Sequence, residues 1–255
     1  MMANAKGEVA VIILAAGLGT RMKSSKAKVL HEILGKPMVM YVVDTAKKIA
    51  GDNVILVIGN QAEKVRKVVS EQTNVLFALQ EEQLGTGHAV LCAIPQVQSH
   101  VREVVILCGD VPLLTDKTLK GLFEDHVKAG RDISLLAVEI ENPKGYGRIL
   151  INENKKLTGI IEEADASEEQ KRLKIINTGI YCIKKEILSD SLKKITSDNV
   201  KGEFYLTDIV EIGYRNKSTM GVSVGDDWKE TVGVNTKQDL MTAEIIMRDR
   251  MRIMS

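Results

Sequence analysis

Two cations, Arg21 and Lys28, follow a glycine turn, Ala15-Ala16-Gly17-Leu18-Gly19-Thr20, which closes an unbroken apolar run from Val9 to Ala16. Glycines in such a turn let backbone N–H groups close on an anion, because a Cβ would block the approach. A strand, a glycine turn and paired cations make a device for holding a polyphosphate. Two further polar segments follow. Gln80, in Gln80-Glu-Glu-Gln-Leu-Gly85-Thr86-Gly87-His88-Ala89, offers both a donor and an acceptor, as a pyrimidine edge requires. Gly85 and Thr86 let backbone groups approach a base or ribose. Asp110, in Gly109-Asp110-Val111-Pro112, is a hard oxygen ligand suited to Mg²⁺, which takes one or two protein carboxylates plus phosphate oxygens.

Each feature also has a plainer reading. A Gly-x-Gly turn serves any tight strand-to-helix connection, a glutamine in a loop is commonly solvated, and Asp110 could simply end its strand. His88 reads as a hydrogen-bonding residue at a helix start. Other chemistries are excluded more firmly. No Gly-x-x-x-x-Gly-Lys-Ser/Thr string occurs. The dinucleotide fingerprint fails because Met22 stands at its third glycine and the second strand ends in Gly59-Asn60 rather than an acid, which argues against NAD. There is no Gly-x-Ser-x-Gly elbow and no His/Cys spacing of the zinc type.

The elements that must position these residues alternate through the first half. Strands are expected over Val9–Ala16, Val54–Ile58, Val75–Leu79, Val104–Cys108 and Ile133–Val138. Helices are expected from Pro37 to Gly51, over Glu63–Glu71, from near His88, and from a Thr115 cap to Gly130, the last carrying Leu119, Leu122, Phe123 and Val127. That order implies an α/β fold with a doubly wound, mostly parallel sheet. It places all three polar segments at the carboxyl edge, where open sheets bind ligands. After Glu141 the rhythm changes to a hairpin of Arg148–Ile151 and Leu157–Ile161, a strand over Ile175–Ile183, helices near Lys185–Ile195 and Tyr205–Arg215, and a late strand at Val222–Val224. A final helix opens on a Thr236/Asp239 capping box and carries Leu240, Met247, Met251 and Met254 on one stripe. The expected organisation is a nucleotide-binding core over 1–141, a β-rich part over 142–235 and a terminal helix over 236–255.

Composition narrows the partners. Over 255 residues, 35 Lys and Arg nearly balance 34 Asp and Glu, so no general polyanion surface is implied, and few aromatics are available to stack on bases. Nucleic acid is disfavoured. Cys92, Cys108 and Cys182 are scattered among apolar residues, which fits a reducing compartment. Lys6 before the first apolar run superficially resembles a signal peptide, but Glu8 abuts that run and cleavage would destroy the phosphate turn. No run reaches the length of a membrane span, so a cytoplasmic protein with no membrane partner is expected.

Taken in order, the motifs resemble those of the sugar-1-phosphate nucleotidyltransferases. They are most similar to the uridylyltransferase half of the bifunctional N-acetylglucosamine-1-phosphate uridylyltransferase/glucosamine-1-phosphate acetyltransferases. The resemblance runs through Leu14-Ala-Ala-Gly-Leu-Gly-Thr-Arg-Met22, Lys28-Val-Leu-His31, Gln80 with Gln83-Leu-Gly-Thr-Gly-His-Ala89, and Gly109-Asp-Val-Pro-Leu113. It continues through Gly145-Tyr-Gly-Arg148, Gly159-Ile-Ile-Glu162, Ile176-Asn-Thr-Gly179, Gly202-Glu-Phe-Tyr-Leu-Thr-Asp208 and Gly233-Val-Asn235. It implies that Leu14, Ala15, Ala16, Gly17, Lys28, Gln80, Gly85, Thr86 and Gly109 serve the nucleotide. It further implies that Gly147, Glu162 and Asn177 hold the N-acetylglucosamine portion, and that Asp110 and Asn235 hold Mg²⁺. The implied substrates are UTP and N-acetylglucosamine 1-phosphate and the products UDP-N-acetylglucosamine and pyrophosphate, with Arg21 and Lys28 neutralising charge during catalysis.

Two departures stand out. Lys26-Ala27 replaces the Leu-Pro common before the Lys-Val-Leu-His motif, and nothing resembles the hexapeptide repeats of an acetyltransferase β-helix. Competing readings are a nucleotidyltransferase for dTTP or another sugar, a glycosyltransferase, and a non-catalytic nucleotide-sugar sensor. The second usually carries Asp-x-Asp at its metal, which Gly109-Asp110-Val111-Pro112 lacks, and the third would be expected to lose Lys28 or Asp110. A homo-oligomer is compatible with the sequence.

Overall fold

The structure, a computed structural model, describes residues 7–154 and 156–254, without the side chains of Ile253 and Met254. Lys6, Ser255 and the side chain of Met254 thus lie outside the described residues. The first strand, β1 (Val9–Leu14), is the hub of the main sheet. Its side chains alternate between two cores, as a period of two requires. Val9, Val11 and Ile13 enter one cluster and Ala10 and Ile12 the other. Two short strands, β2 (Glu32–Ile33) and β3 (Lys36–Pro37), form a separate ribbon. Pro37 ends that ribbon and stands as the cap before α1 (Met38–Ala50), not as its first helical residue.

The chain then builds β4 (Val54–Ile58), α2 (Ala62–Ser70), β5 (Leu76–Leu79), α3 (Thr86–Ala93) and β6 (Glu103–Cys108). β4 and β6 flank β1 on opposite sides, both parallel to it, and β5 continues beyond β4. The strand order therefore reverses between β1 and β6, and Leu14 lies in register with Cys108 at their carboxyl ends. That crevice is where an open α/β sheet binds ligands.

Next come α4 (Asp116–Lys128), β7 (Ile133–Glu139), the hairpin β8 (Arg148–Ile151) and β9 (Leu157–Ile161), and β10 (Ile175–Lys184). Thr115 caps α4 by accepting from Thr118 N at 3.2 Å. β7 continues the sheet, but not beside β6: β10 runs antiparallel between them. A return strand inserted between two earlier ones leaves no local trace in an apolar segment. α5 (Lys185–Leu192), α6 (Asp208–Arg215), β11 (Met220–Gly225) and α7 (Lys237–Met254) complete the fold, with β11 parallel to β7 at the edge.

The sheet is mostly parallel and Rossmann-like, with helices on both faces, and the β8–β9 hairpin joins it through one pairing, Ile176 with Arg148. A third cluster, Ile33, Met38, Leu113, Val234, Ala243 and Met247, seats α7. Leu240 packs against that cluster, whereas Met251 is 58% exposed. The Met stripe therefore ends one turn early, because the cluster it would cover ends at Met247.

Candidate active site

The crevice at the carboxyl ends of β1 and β6 holds a cavity of about 430 Å³. Leu14 to Arg21, Lys28, Gln80, Gly85, Thr86, Asp110 and Asn235 all line it. Residues spread over most of the chain thus meet at one edge. Gly109 lies just behind: its N–H donates to Leu14 O at 2.9 Å, and a Cβ there would fall 3.1 Å from that same oxygen. Its part is to let the ends of β1 and β6 close up.

The two glycines of the first turn do different things. Gly17 is exposed and a Cβ there would meet nothing within 4 Å, so its backbone is open to a ligand. Gly19 has φ +63°, and a Cβ there would lie 2.5 Å from Lys28 Cβ. Its bareness lets Lys28 cross behind the turn and reach the cavity. Lys28 is consequently not an exposed loop cation, as the turn alone would suggest. Its side chain is 16% exposed, it is ion-paired with Asp110, and its Nζ donates to Asn235 Oδ1 at 3.0 Å. Arg21 is the exposed cation, and its Nη2 donates to the same Asn235 oxygen at 2.9 Å.

Asn235 is aimed by α7. Asp239 accepts from Asn235 N at 2.9 Å and from Thr236 N at 2.8 Å, while Thr236 Oγ1 accepts from Asp239 N at 3.1 Å. This is the reciprocal capping box that the sequence implies. Asn235 Nδ2 donates to Gly233 O at 3.1 Å, which turns Oδ1 inward, and Val234 N donates to Asp110 O at 2.8 Å. Two hard oxygen donors, a carboxylate and an amide carbonyl, therefore face one point where two cationic side chains already gather. That donor set suits a divalent cation such as Mg²⁺. Beside it, the Cys108 thiol is pushed up to about 12 by burial and by the Asp110 carboxylate, against the pull of Lys28, so it stays protonated.

Gln80 is buried. Its Nε2 donates to Gly85 O at 3.0 Å and lies 3.2 Å from His88 Nδ1. Its hydrogens are thereby engaged locally, and the acceptor oxygen is the half of the amide left for a ligand. His88 is the helix-start partner expected of it. Gly85 and Thr86 have a role the sequence does not reveal. Gly85 has φ +115°, and a Cβ there would strike Phe204 O at 2.6 Å. Phe204 N donates to Leu84 O at 2.8 Å, Gly87 N to Phe204 O at 2.8 Å, and Leu206 N to Thr86 Oγ1 at 3.0 Å. The segment before α6 is stitched onto this loop, and it carries Glu203 into the cavity.

Gly147, Glu162 and Asn177 meet at a second locus outside that cavity's lining. A Cβ on Gly147 would lie 3.5 Å from Glu162 Oε1 and 3.6 Å from Asn177 Cβ. Asn177 N donates to Gly147 O at 2.9 Å where the β10 register shifts. Buried Arg148 fixes the approach to Gly147, pairing with Tyr146 O, with Glu163 Oε2 at 2.7 Å and with Lys171 O at 3.1 Å. Burial raises the Glu162 carboxyl, only partly offset by the Thr207 hydroxyl donating at 3.3 Å. The Tyr146 phenol, in the segment leading into β8, is raised by burial and then by Asp239 and Asp110.

Lys26 pairs with Glu32 Oε1 at 2.9 Å, tethering the turn to β2. Glu103, His126 and Cys182 place ligand-type atoms within 4.8 Å of one another. Both His126 ring nitrogens are already engaged, however, by Ser134 Oγ at 2.8 Å and Glu103 Oε2 at 3.0 Å. The cluster works as a buried tie from α4 to β6 and β7.

The sequence profile of the nucleotidyl transferase family matches residues 10–244. The bifunctional protein GlmU of Bacillus licheniformis is 42% identical over 239 residues, covering 94% of this chain and 52% of that protein. The GlmU of Caldanaerobacter subterraneus subsp. tengcongensis is 45% identical over 243 residues, covering 95% and 52%. The chain thus spans about half the length of the curated relatives it matches. A solved structure of a candidate glucose-1-phosphate thymidylyltransferase from Bacillus anthracis has the same fold, with TM-score 0.76 at 21% identity over 94% of this chain and 96% of that one. With a matched profile running from β1 into α7, the chain belongs to the nucleotidyl transferase family.

Proposed function

We propose that this chain transfers the uridylyl group of UTP to N-acetyl-α-D-glucosamine 1-phosphate, giving UDP-N-acetylglucosamine and pyrophosphate. The observation that carries this reading is the meeting of Arg21, Lys28, Asp110 and Asn235 beside the open backbone of Gly17. Similarity to the bifunctional GlmU proteins supports the choice of nucleotide and sugar.

In this reading an oxygen of the sugar phosphate attacks the α-phosphorus of UTP in line, and pyrophosphate leaves from the opposite side. No bond to the protein forms. Catalysis is positioning and charge neutralisation, as in phosphoryl transfer generally. Backbone groups of Leu14, Ala15, Ala16 and Gly17 cradle the triphosphate. Arg21 and Lys28 turn their charges onto its oxygens as negative charge shifts to the leaving pyrophosphate. Gln80 accepts from the uracil edge, on a loop set by Gly85 and Thr86, while Gly109 lets the ends of β1 and β6 close up beside the nucleotide. Gly147, Glu162 and Asn177 hold the acetylated sugar. Asp110 and Asn235 would hold Mg²⁺, which when bound supplies charge screening between the two phosphate groups.

Residues 1–141, 142–235 and 236–255 then serve as nucleotide core, sugar-binding part and Asn235-bearing helix of one cytoplasmic transferase unit. Among the described residues no helix is long and apolar enough to cross a membrane. The test is release of pyrophosphate from UTP with N-acetylglucosamine 1-phosphate, set against glucose 1-phosphate and dTTP. Turnover confined to the first pair supports the reading; preference for another sugar or nucleotide overturns it.

A further inference from the structure

A carboxylate stands in a cavity otherwise suited to a polyanion. Glu203 is half-buried and lines the same space as Gln80, Gln83, Gly85 and Thr86, whereas Glu162 and Asn177 do not. Its backbone is held on both sides by one side chain: Asn199 Oδ1 accepts from Glu203 N at 3.2 Å, and Asn199 Nδ2 donates to Glu203 O at 2.6 Å. The next residue, Phe204, is bonded to Leu84 and Gly87 in the loop opposite. Glu203 therefore sits on a rigid mount. Among the described residues its carboxylate makes no ion pair and accepts no hydrogen bond, although it is partly withdrawn from solvent.

A carboxylate in that position repels phosphate, so it must face an uncharged, donor-bearing part of the ligand. In the proposed reading Arg21, Lys28 and the Gly17 turn face the phosphates and Gln80 with Gly85 faces the base; Glu203 shares the cavity lining with both groups, on the segment bonded to the Gly85 loop. Between a base and its phosphates stands the ribose, whose two adjacent hydroxyls are donors spaced for one carboxylate. Dinucleotide-binding sheets supply such an acid from the end of the second strand. Here that strand ends in Gly59-Asn60, and the segment from 203 to 206 delivers an acid from a distant part of the chain.

We propose that Glu203 accepts hydrogen bonds from the 2′- and 3′-hydroxyls of the nucleotide's ribose and so selects ribonucleotides over deoxyribonucleotides. This rests on the uridylyl-transfer reading only in the identity of the nucleotide. It makes the sugar of the nucleotide, and not the base alone, the ground on which UTP is preferred to dTTP.

The test compares UTP with 2′-deoxy-UTP in wild type, Glu203→Ala and the isosteric Glu203→Gln. It is read both as kcat/KM with N-acetylglucosamine 1-phosphate and as calorimetric binding without it. A site built to bond a hydroxyl rejects an analogue that lacks it, so wild type should favour UTP by about ten-fold or more. Glu203→Ala should erase that ratio by weakening UTP more than 2′-deoxy-UTP, which keeps the 3′-hydroxyl, with Glu203→Gln intermediate. Equal losses for both nucleotides, an unchanged ratio, or an effect seen only with deoxygenated sugar phosphates would each overturn the proposal. Binding that discriminates through Glu203 without formation of UDP-N-acetylglucosamine would overturn uridylyl transfer and leave this proposal standing. Equal turnover of both nucleotides by wild type would do the reverse.

Discussion

Lys28 Nζ donates to Asn235 Oδ1 at 3.0 Å, joining residues 207 positions apart. Through its ion pair with Asp110 the same ammonium closes a triangle of the turn after β1, the end of β6 and the cap of α7. The group that ties these three segments together is thus also the one proposed to neutralise the triphosphate.

Lys28 and Arg21 should therefore part company on mutation. Lys28→Ala removes a transition-state donor, so kcat should fall by about 10²–10³, equivalent to about 2.7–4 kcal/mol. It also leaves the Asp110 carboxylate, 18% exposed, without its cation, and the melting temperature should drop. Arg21→Ala should lower kcat and leave the melting temperature unchanged, because Arg21 is exposed. Steady-state kinetics paired with thermal melts separate the two; equal melting points for both variants would refute the assembly role of Lys28.

Asp110→Asn and Asn235→Ala should each raise the Mg²⁺ concentration needed for half-maximal rate. In Asn235→Ala the partner oxygen of both Lys28 and Arg21 also disappears, so the maximal rate should fall as well. A metal titration of each variant measures this, and unchanged curves in both would place the ion elsewhere.

Gln80→Ala should relax the preference for UTP over CTP more than it slows UTP itself, since a polar site left unpaired by the wrong edge is what discriminates. Because Gln80 also bonds Gly85 O and meets His88, a modest drop in melting temperature should accompany it. The kcat/KM ratio for the two nucleotides, before and after the change, decides whether Gln80 reads the base.

Asp208, at the start of α6, has its carboxyl raised to about 6 by burial and then by Glu211, Glu162 and Asp165. A carboxyl raised on folding binds its proton more tightly in the native state than in the unfolded one. Its ionisation therefore opposes folding: the penalty is absent below the unfolded value, grows as pH rises toward about 6, and is complete above that. Asp208→Asn should accordingly be stabilising relative to wild type at pH 7.5, with the difference vanishing near pH 4. Chemical denaturation of both proteins across that range reads the difference, and a constant offset would contradict it.

How far the sequence discloses all this depends on whether a feature is local. The β1 run, the Thr115 cap and the Thr236/Asp239 box are stretches in which residue type and spacing dictate the element; the two caps form as read, and the strand forms from Val9 but ends at Leu14, with Ala15 and Ala16 already in the turn. The hairpin's bounds coincide for the same reason. The insertion of β10 between β6 and β7 is non-local and invisible to periodicity. So is the reason for Gly85, whose φ and bareness answer to the Phe204 backbone. Glu203 is the sharpest case: it lies in a stretch that the family resemblance includes, but its place in the cavity comes from bonds of Phe204 and Leu206 to a loop over a hundred residues earlier, which no local spacing reveals. Asn235 and Asn177 are likewise ordinary turn residues in isolation, and resemblance to a family is what singles them out.

The most direct measurement follows the α-phosphate. UTP labelled at that position should pass its label into UDP-N-acetylglucosamine only when N-acetylglucosamine 1-phosphate is present, with unlabelled pyrophosphate released in equal amount. Label appearing in UMP, remaining in UTP, or becoming bound to the protein would contradict direct uridylyl transfer at the Lys28–Asp110–Asn235 site.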